Sequence, residues 1–376
     1  MLDLILRDGH VWDPSQGIDA PMDVGFADGK VAALAPHIDT SARQEKDVRG
    51  LIVAPGFIDM HTHVYWGATS ISIRGEDIAR RAAVTTMVDA GSAGPGNFAG
   101  LRHYVIERSS RRTLAFINVA YPGIFAYSRP VMVGECSDLR LIDQAECVRV
   151  VEENRDVIVG IKVRIGKVAG GDTGCIPLDL GIEVAEQLGM PLMVHIDHSP
   201  PHMREILSRL RPGDMLTHCL RPFPNTMARP DGGIIEAACE ARARGVLFDL
   251  GHGASSFSFE VARTALVNDF LPDFISTDIH VLNVDGPVFD LMTTMTKFLA
   301  LGVEPIELVR RVTATPAAGL RRPELGTFAV GAAGDATLFV LEDGRFQLKD
   351  CFGAHIPCSR RFAPRGVVLK GAWFDH

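Results

Sequence analysis

The sequence predicts an α/β fold: a (β/α)8 TIM barrel carrying a small β-sandwich built from both chain ends. Three observations predict it. Strand-like apolar runs alternate with helix-like segments eight times across about 270 residues, the rhythm and size of such a barrel. Histidine, lysine and aspartate close several different strands of that series, as the catalytic face of a closed barrel would collect them. Short, turn-punctuated β runs lie outside the series, at the two ends of the chain. An open doubly wound sheet is the competing architecture. The expected division is 1–54 and 325–376 for the two parts of the sandwich and 55–324 for the barrel.

At the start, Leu2 to Leu6, Met22 to Ala27 and Lys30 to Ala35 are apolar runs. Asp8-Gly9, Asp13-Pro14 and Asp28-Gly29 break them as hairpin and turn signals. This module is too short to bury a good core alone. The tail supplies the complement, with strands expected at Gly334–Leu341 and Gly366–Gly371.

The eight barrel strands expected are Leu51–Ile58, Thr85–Asp89, Leu114–Val119, Val157–Val163, Pro191–His195, Met215–His218, Val246–Leu250 and Asp273–Ser276. Helical patterns fall between most of them, at Ile78–Ala83, Asn97–Ser109, Leu141–Asn154, Leu178–Leu188, His202–Leu210, Gly233–Arg244 and Ser258–Val267.

Composition narrows the class. Of 376 residues, 47% are hydrophobic and 22% charged, which permits a sizeable core. A formal charge of −8 argues against a nucleic-acid surface. No apolar run reaches the length of about 18 residues that a membrane span needs. The opening Met1-Leu2-Asp3-Leu4-Ile5-Leu6-Arg7-Asp8 lacks the order of a secretory signal. Seven cysteines without a Cys-x-x-Cys pair suggest reduced thiols and a cytoplasmic home.

The chemistry begins at Pro55-Gly56-Phe57-Ile58-Asp59-Met60-His61-Thr62-His63. Side chains alternate along a strand, so His61 and His63 point the same way and can grip one ion. Neutral imidazole is a common ligand of zinc and other divalent metals. His-x-His alone is a weak signal; the strands that follow strengthen it. In Val157-Ile158-Val159-Gly160-Ile161-Lys162-Val163-Arg164 a lysine sits among apolar neighbours. A buried lysine tends to lose its proton, and a neutral amine can take up CO2 as a carbamate, an anionic bridge for two metal ions. Taken alone, Lys162 reads as an ion-paired or snorkelling lysine. Later strands end at His195, His218 and Asp278. Each alone reads as a core histidine or a turn-forming aspartate; together they form a set on one alternating series.

This set resembles the amidohydrolase superfamily of metal-dependent hydrolases. Residues 55–63 are similar to its opening motif, Lys162, His195, His218 and Asp278 fall at its remaining ligand strands, and Gly331-Ala332-Ala333-Gly334-Asp335-Ala336-Thr337-Leu338 is similar to its return into the sandwich. The resemblance implies two divalent metal ions, usually zinc. His61, His63 and Asp278 would hold one ion, His195 and His218 the other, and carbamylated Lys162 would bridge them. Two such ions lower the pKa of a shared water and polarise a substrate carbonyl. Asp278 would take the proton and pass it to the leaving group.

Within the superfamily, Tyr65 stands where dihydroorotases carry an arginine for the substrate carboxylate. Hydantoinases place a tyrosine after the third strand to stabilise the oxyanion, and Tyr121 could take that part; an ordinary loop tyrosine is the other reading. Gly160-Ile161-Lys162-Val163-Arg164 with Ser276-Thr277-Asp278-Ile279-His280 looks more like the dihydroorotase-related amidohydrolase/deacetylase branch. That resemblance implies release of an acyl group from a small carboxylic acid, with acetylated α-hydroxy acids such as acetyl-mandelate as the substrate class. N-acyl amino acids and cyclic amides are the competing enzyme substrates, and a non-enzymatic scaffold of the same fold is the competing class. Arg164, two residues after Lys162, faces the same side and could clamp a carboxylate or pair with a neighbouring acid. His252, in Leu250-Gly251-His252-Gly253, is expected to touch substrate. Self-association is common among related proteins, but the sequence specifies no interface.

Overall fold

The computed structural model describes residues 1–222 and 224–375. Seven strands form one parallel sheet in chain order: Phe57–Thr62, Val84–Ala90, Arg112–Asn118, Ile158–Ile165, Leu192–Ile196, Met215–Leu216 and Leu247–Phe248. Phe57–Thr62, Val84–Ala90 and Ile158–Ile165 are buried at every position. That is the signature of strands covered on both faces, and it explains their near-continuous apolar runs. The architecture is TIM-barrel-like.

The expected eighth strand is a correction. Residues 273–279 form no ladder among the described residues; isolated bridges join them to both edges of the sheet, Asp249 to Phe274 on one side and Thr62 to Ile279 on the other. The physical reason lies in the segment's own residues. Asp273 turns its carboxylate to the Phe248 amide, and Asp278, two residues past the expected strand, takes a φ of 46°, which breaks regular extended backbone.

The expected Leu51–Ile58 strand is also two strands. Ile52–Pro55 pairs antiparallel with the start of Ala336–Lys349, while Phe57–Thr62 enters the parallel sheet. Gly56 makes the transfer: its amide donates to the Asp335 carbonyl at 3.0 Å, and a Cβ there would lie 2.2 Å from Thr85 Oγ1. The two chain ends therefore meet as expected, but as one hydrogen-bonded sheet of eight strands instead of two separate ones. The long strand Leu2–Asp13 is shared by Ile18–Ala27 on one side and by Ala42–Asp47 and Ile52–Pro55 on the other, which makes the sheet continuous. Asp8-Gly9, expected as a turn, is an irregularity inside that strand, with Asp8 at φ 59°. Leu4, Leu6, Val24 and Phe26 from the start pack with Ala336, Leu338 and Val368 from the end.

Helices cover the outer face. Ile176–Leu188 has Pro177 in its first turn and ends on Gly189 at φ 65°. Gln144–Glu153 is capped by Asp143, whose side chain accepts from the Glu146 amide. The expected Asn97–Ser109 helix breaks into Phe98–Tyr104 and a 3-10 turn at Ile106–Arg108. Three helices had no strong sequence signal: Leu291–Ala300, Pro305–Arg310 and Ala314–Gly319. Ala317 and Leu320 pack against Ile58, Val88, Leu114 and Met215 at the end of the sheet opposite the histidines. No described helix is long and apolar enough to cross a membrane, and the seven cysteines are all free thiols.

Candidate metal centre

The ligand-type residues project from the C-terminal ends of the parallel strands. The ladder between Phe57–Thr62 and Val84–Ala90 is irregular between Asp59 and Thr62, an interval that contains His61. A second irregularity falls between Ile158 and Gly160, just before Lys162. Such irregularities commonly re-aim side chains beside active sites.

All six expected ligands converge. His63 Nε2 lies 3.0 Å from Asp278 Oδ1, and His61 Nε2 lies 3.4 Å from the same oxygen. Lys162 Nζ is 3.3 Å from His61 Nε2. His195 Nδ1 is 2.7 Å from His218 Nε2, and the His61 and His218 rings are 5.3 Å apart. His61, His218 and Asp278 each offer an atom within 4.8 Å of the others.

The surroundings fix which nitrogen of each ring faces inward. His61 Nδ1 is held by Thr217 Oγ1 and Asp249 Oδ2 at 3.0 and 3.1 Å, leaving Nε2 for the centre. His218 Nδ1 donates to the Gly251 carbonyl at 2.7 Å, so its Nε2 carries the lone pair, turned toward His195 Nδ1. Partners of this kind orient metal-binding histidines. Asp249 is itself gripped by Thr217 and Ser276 at 2.6 and 2.5 Å. His63 Nδ1 meets Ser92 Oγ at 2.9 Å.

Burial sets the protonation. It pushes His61, His195 and His218 well below the ordinary imidazole range and His63 down to about 3, so all four rings are neutral near pH 7. Burial also drives the Lys162 ammonium downward, against the pull of Asp278 and Asp249. The only described residues near its nitrogen that accept from it are His61 and Met193, at 3.3 Å each. Gly91 makes room: at φ 87°, a Cβ there would lie 2.6 Å from Lys162 Cγ.

The donor set fits divalent metal ions. Four neutral imidazoles, a carboxylate and an amine without a carboxylate partner occupy one buried site, and His195 Nε2 is a buried nitrogen with no hydrogen-bond partner.

The expected substrate residues separate. Arg164 lies beside the centre, 5% exposed, with Nη1 3.0 Å from Glu135 Oε2 and its guanidinium 5.3 Å from the Tyr127 ring. The ion-pair reading of Arg164 holds: Glu135 takes Nη1, and no described side chain takes Nε or Nη2. Tyr121 is exposed and packs on Gly96; the tyrosine of this loop nearest the centre is Tyr127, six residues on. His252 is fully buried, with Nε2 on Lys297 Nζ at 2.7 Å and Nδ1 on the Gly253 carbonyl at 3.0 Å. Both its ring nitrogens are occupied away from the metal-type residues, which corrects the expected substrate contact. Tyr65 also turns away, its hydroxyl donating to the Asn97 carbonyl at 2.9 Å.

Sequence reasoning missed Tyr127, Glu135 and Asp249. His280 is buried, its ring 6.3 Å from His63 and 5.9 Å from Tyr127. Asp249 carried a usable signal, an acid embedded in the apolar run Val246-Leu247-Phe248-Asp249-Leu250. Tyr127 and Glu135 lie in a long loop with no periodicity to mark them.

A TIM-barrel-like domain with histidines, a lysine and an aspartate gathered at its strand ends offers a donor set suited to metal-assisted hydrolysis. No protein-family model matches the chain. A deacetylase of Agrobacterium fabrum is 38% identical over 343 residues, covering 91% of this chain and 84% of its own. A crystal structure described as an adenine deaminase superposes with a TM-score of 0.94 at 31% identity, covering 100% of both chains. One described as a dihydroorotase gives 0.91 at 35% identity, covering 100% of this chain and 98% of the other. The chain belongs to the amidohydrolase superfamily, in its dihydroorotase-like amidohydrolase/deacetylase branch, and it is a hydrolase.

Proposed function

We propose that this hydrolase releases an acetyl group from a small carboxylic acid, with acetylated α-hydroxy acids such as acetyl-mandelate as its substrates. The observation that carries this reading is Arg164, a buried guanidinium beside the ligand set with two nitrogens not taken by any described side chain. Planar guanidinium matches a carboxylate in a bidentate fork. Glu135 fixes the plane of that fork, and Tyr127 lies across it.

His61, His63 and Asp278 would hold one divalent ion, best zinc, and His195 and His218 a second, with carbamylated Lys162 between them. Such ions supply a water of lowered pKa and polarise the acyl carbonyl. The residues do the rest. Arg164 anchors the substrate carboxylate and so brings the acyl carbon to the ligand set. Water oxygen adds to that carbon while Asp278 accepts the water's proton. The bond to the leaving oxygen then breaks, and Asp278 returns the proton to it. The products are acetate and the free hydroxy acid. An N-acetyl amino acid would follow the same steps with nitrogen as leaving atom.

The test is turnover by the zinc-replete protein, with bicarbonate supplied. The panel pairs O-acetyl hydroxy acids with N-acetyl amino acids of both hands, beside dihydroorotate, a hydantoin and adenine. Fast, stereoselective turnover of the O-acetyl set is expected. Turnover confined to dihydroorotate, hydantoin or adenine would overturn the substrate class while keeping the hydrolase. Tyr65, at the position where dihydroorotases would carry the arginine, turns its hydroxyl to the Asn97 carbonyl.

A further inference from the structure

Lys297 is 1% exposed, in the middle of the helix Leu291–Ala300. No described carboxylate forms an ion pair with it. Its Nζ donates to His252 Nε2 at 2.7 Å and to the Pro287 carbonyl at 2.8 Å. Because His252 Nε2 accepts, the ring proton sits on Nδ1 and is given to the Gly253 carbonyl at 3.0 Å. The ring also lies on Phe257, centroids 4.6 Å apart.

The turn so held borders the metal centre on two sides. The Gly251 carbonyl accepts from His218 Nδ1, which sets that ring's inward lone pair. Gly253, at φ 58°, lies so close to Asp278 that a Cβ would stand 2.6 Å from Oδ2. The amides of His252 and Gly253 donate to the Ser276 and Thr277 carbonyls, next to Asp278 in the chain. A small rotation of this turn therefore moves a histidine ligand and crowds the aspartate together.

We propose that Lys297 is a positioning residue for the metal centre, locking His252 and through it the Gly251–Gly253 turn that orients His218 and Asp278. The clamp also joins the two parts of the molecule. Its helix is tied to the terminal sheet, where the Phe362 amide donates to Thr296 Oγ1 at 3.2 Å. The sheet braces the turn again from the other side, with Cys351 Sγ 3.4 Å from the Gly253 carbonyl and the Cys351 amide on the Phe257 carbonyl at 3.2 Å. Either protonation state of Lys297 has an N–H to give, so the clamp does not depend on its charge.

This inference rests on the metal-hydrolase reading, and the experiment separates the two. Zinc affinity is measured by chelator competition, together with thermal stability, for wild type, Lys297→Met and His252→Gln. Lys297→Met keeps length and removes every donor. Acting on His218 through the turn, it is expected to weaken zinc binding by up to about 10-fold, at the low end of the cost of losing a metal ligand's outer partner, and by more than any loss of stability of the metal-free protein accounts for. His252→Gln retains an acceptor for Lys297 and is expected to fall between the two; it carries the test if Lys297→Met does not fold. Wild-type zinc affinity in both variants, or a loss of stability with zinc affinity unchanged, overturns the clamp. Wild-type protein that takes up no zinc would sink the metal-hydrolase reading instead.

Discussion

Gly91→Ala isolates the space that Lys162 needs. Gly91 has φ 87°, and a Cβ there would lie 2.6 and 2.7 Å from Lys162 Cγ and Cβ. Two costs add. The left-handed conformation costs a non-glycine residue roughly 1–2 kcal/mol. Forcing a methyl into a packed interior costs about 1–3 kcal/mol more. Gly245→Ala is the control: its φ is 93°, but a Cβ there would meet only Pro212, at 3.4 Å. Denaturant unfolding of the two metal-loaded variants should place Gly91→Ala about 2–5 kcal/mol below wild type and Gly245→Ala only about 1–2 kcal/mol below. Because the added methyl pushes directly on the lysine stem, Gly91→Ala should also lose most turnover, while Gly245→Ala keeps it. Equal stability in the two variants with full activity in Gly91→Ala would refute the reasoning that Lys162 is held in one place by packing.

The remaining predictions concern the proton, the carboxylate and the buried lysine. Asp278→Asn should keep the fold, since asparagine tolerates the φ of 46°, and should lower turnover by about 10²- to 10⁴-fold; near-normal kcat would remove Asp278 from its assigned role. Arg164→Met strips the partner from fully buried Glu135 and should destabilise by about 3–5 kcal/mol; adding Glu135→Gln should restore stability but not the raised KM for carboxylate substrates. Burial pushes the Lys297 ammonium down to about 7 from an ordinary 10.5, so between those values the unfolded chain binds more protons and stability rises with pH. Lys297→Met lacks that term. Its stability relative to wild type should be most favourable near pH 7 and below and should fall as pH rises toward 10.5, and a pH-independent difference in denaturation would contradict the assignment.

Much of the site was legible because parallel strands impose a simple rule. A polar residue closing an apolar run points out of the C-terminal mouth, so His61, His63, Lys162, His195, His218 and Asp278 could be named from spacing and type. The pocket around them was not, because its residues come from loops whose path depends on tertiary contacts. Tyr127 reaches Arg164 only through the long loop after Arg112–Asn118, and no periodicity distinguishes it from Tyr121. His252 misled for a related reason. Gly-His-Gly at a strand end suggests an open loop, but Lys297, more than forty residues later, buries the ring. The sheet's details were hidden in the same way. Pro55-Gly56 reads as one strand's turn, yet the clash of any Cβ at Gly56 with Thr85 shows where the chain passes from one sheet to the other.

The most direct test of the account is the metal content of protein purified from zinc-replete medium with bicarbonate, measured beside Lys162→Ala. Two ions per chain in wild type, with loss of metal and activity in the variant, is the expected result. A wild-type protein that binds no metal, or hydrolyses its substrate equally well after exhaustive chelation, would contradict it.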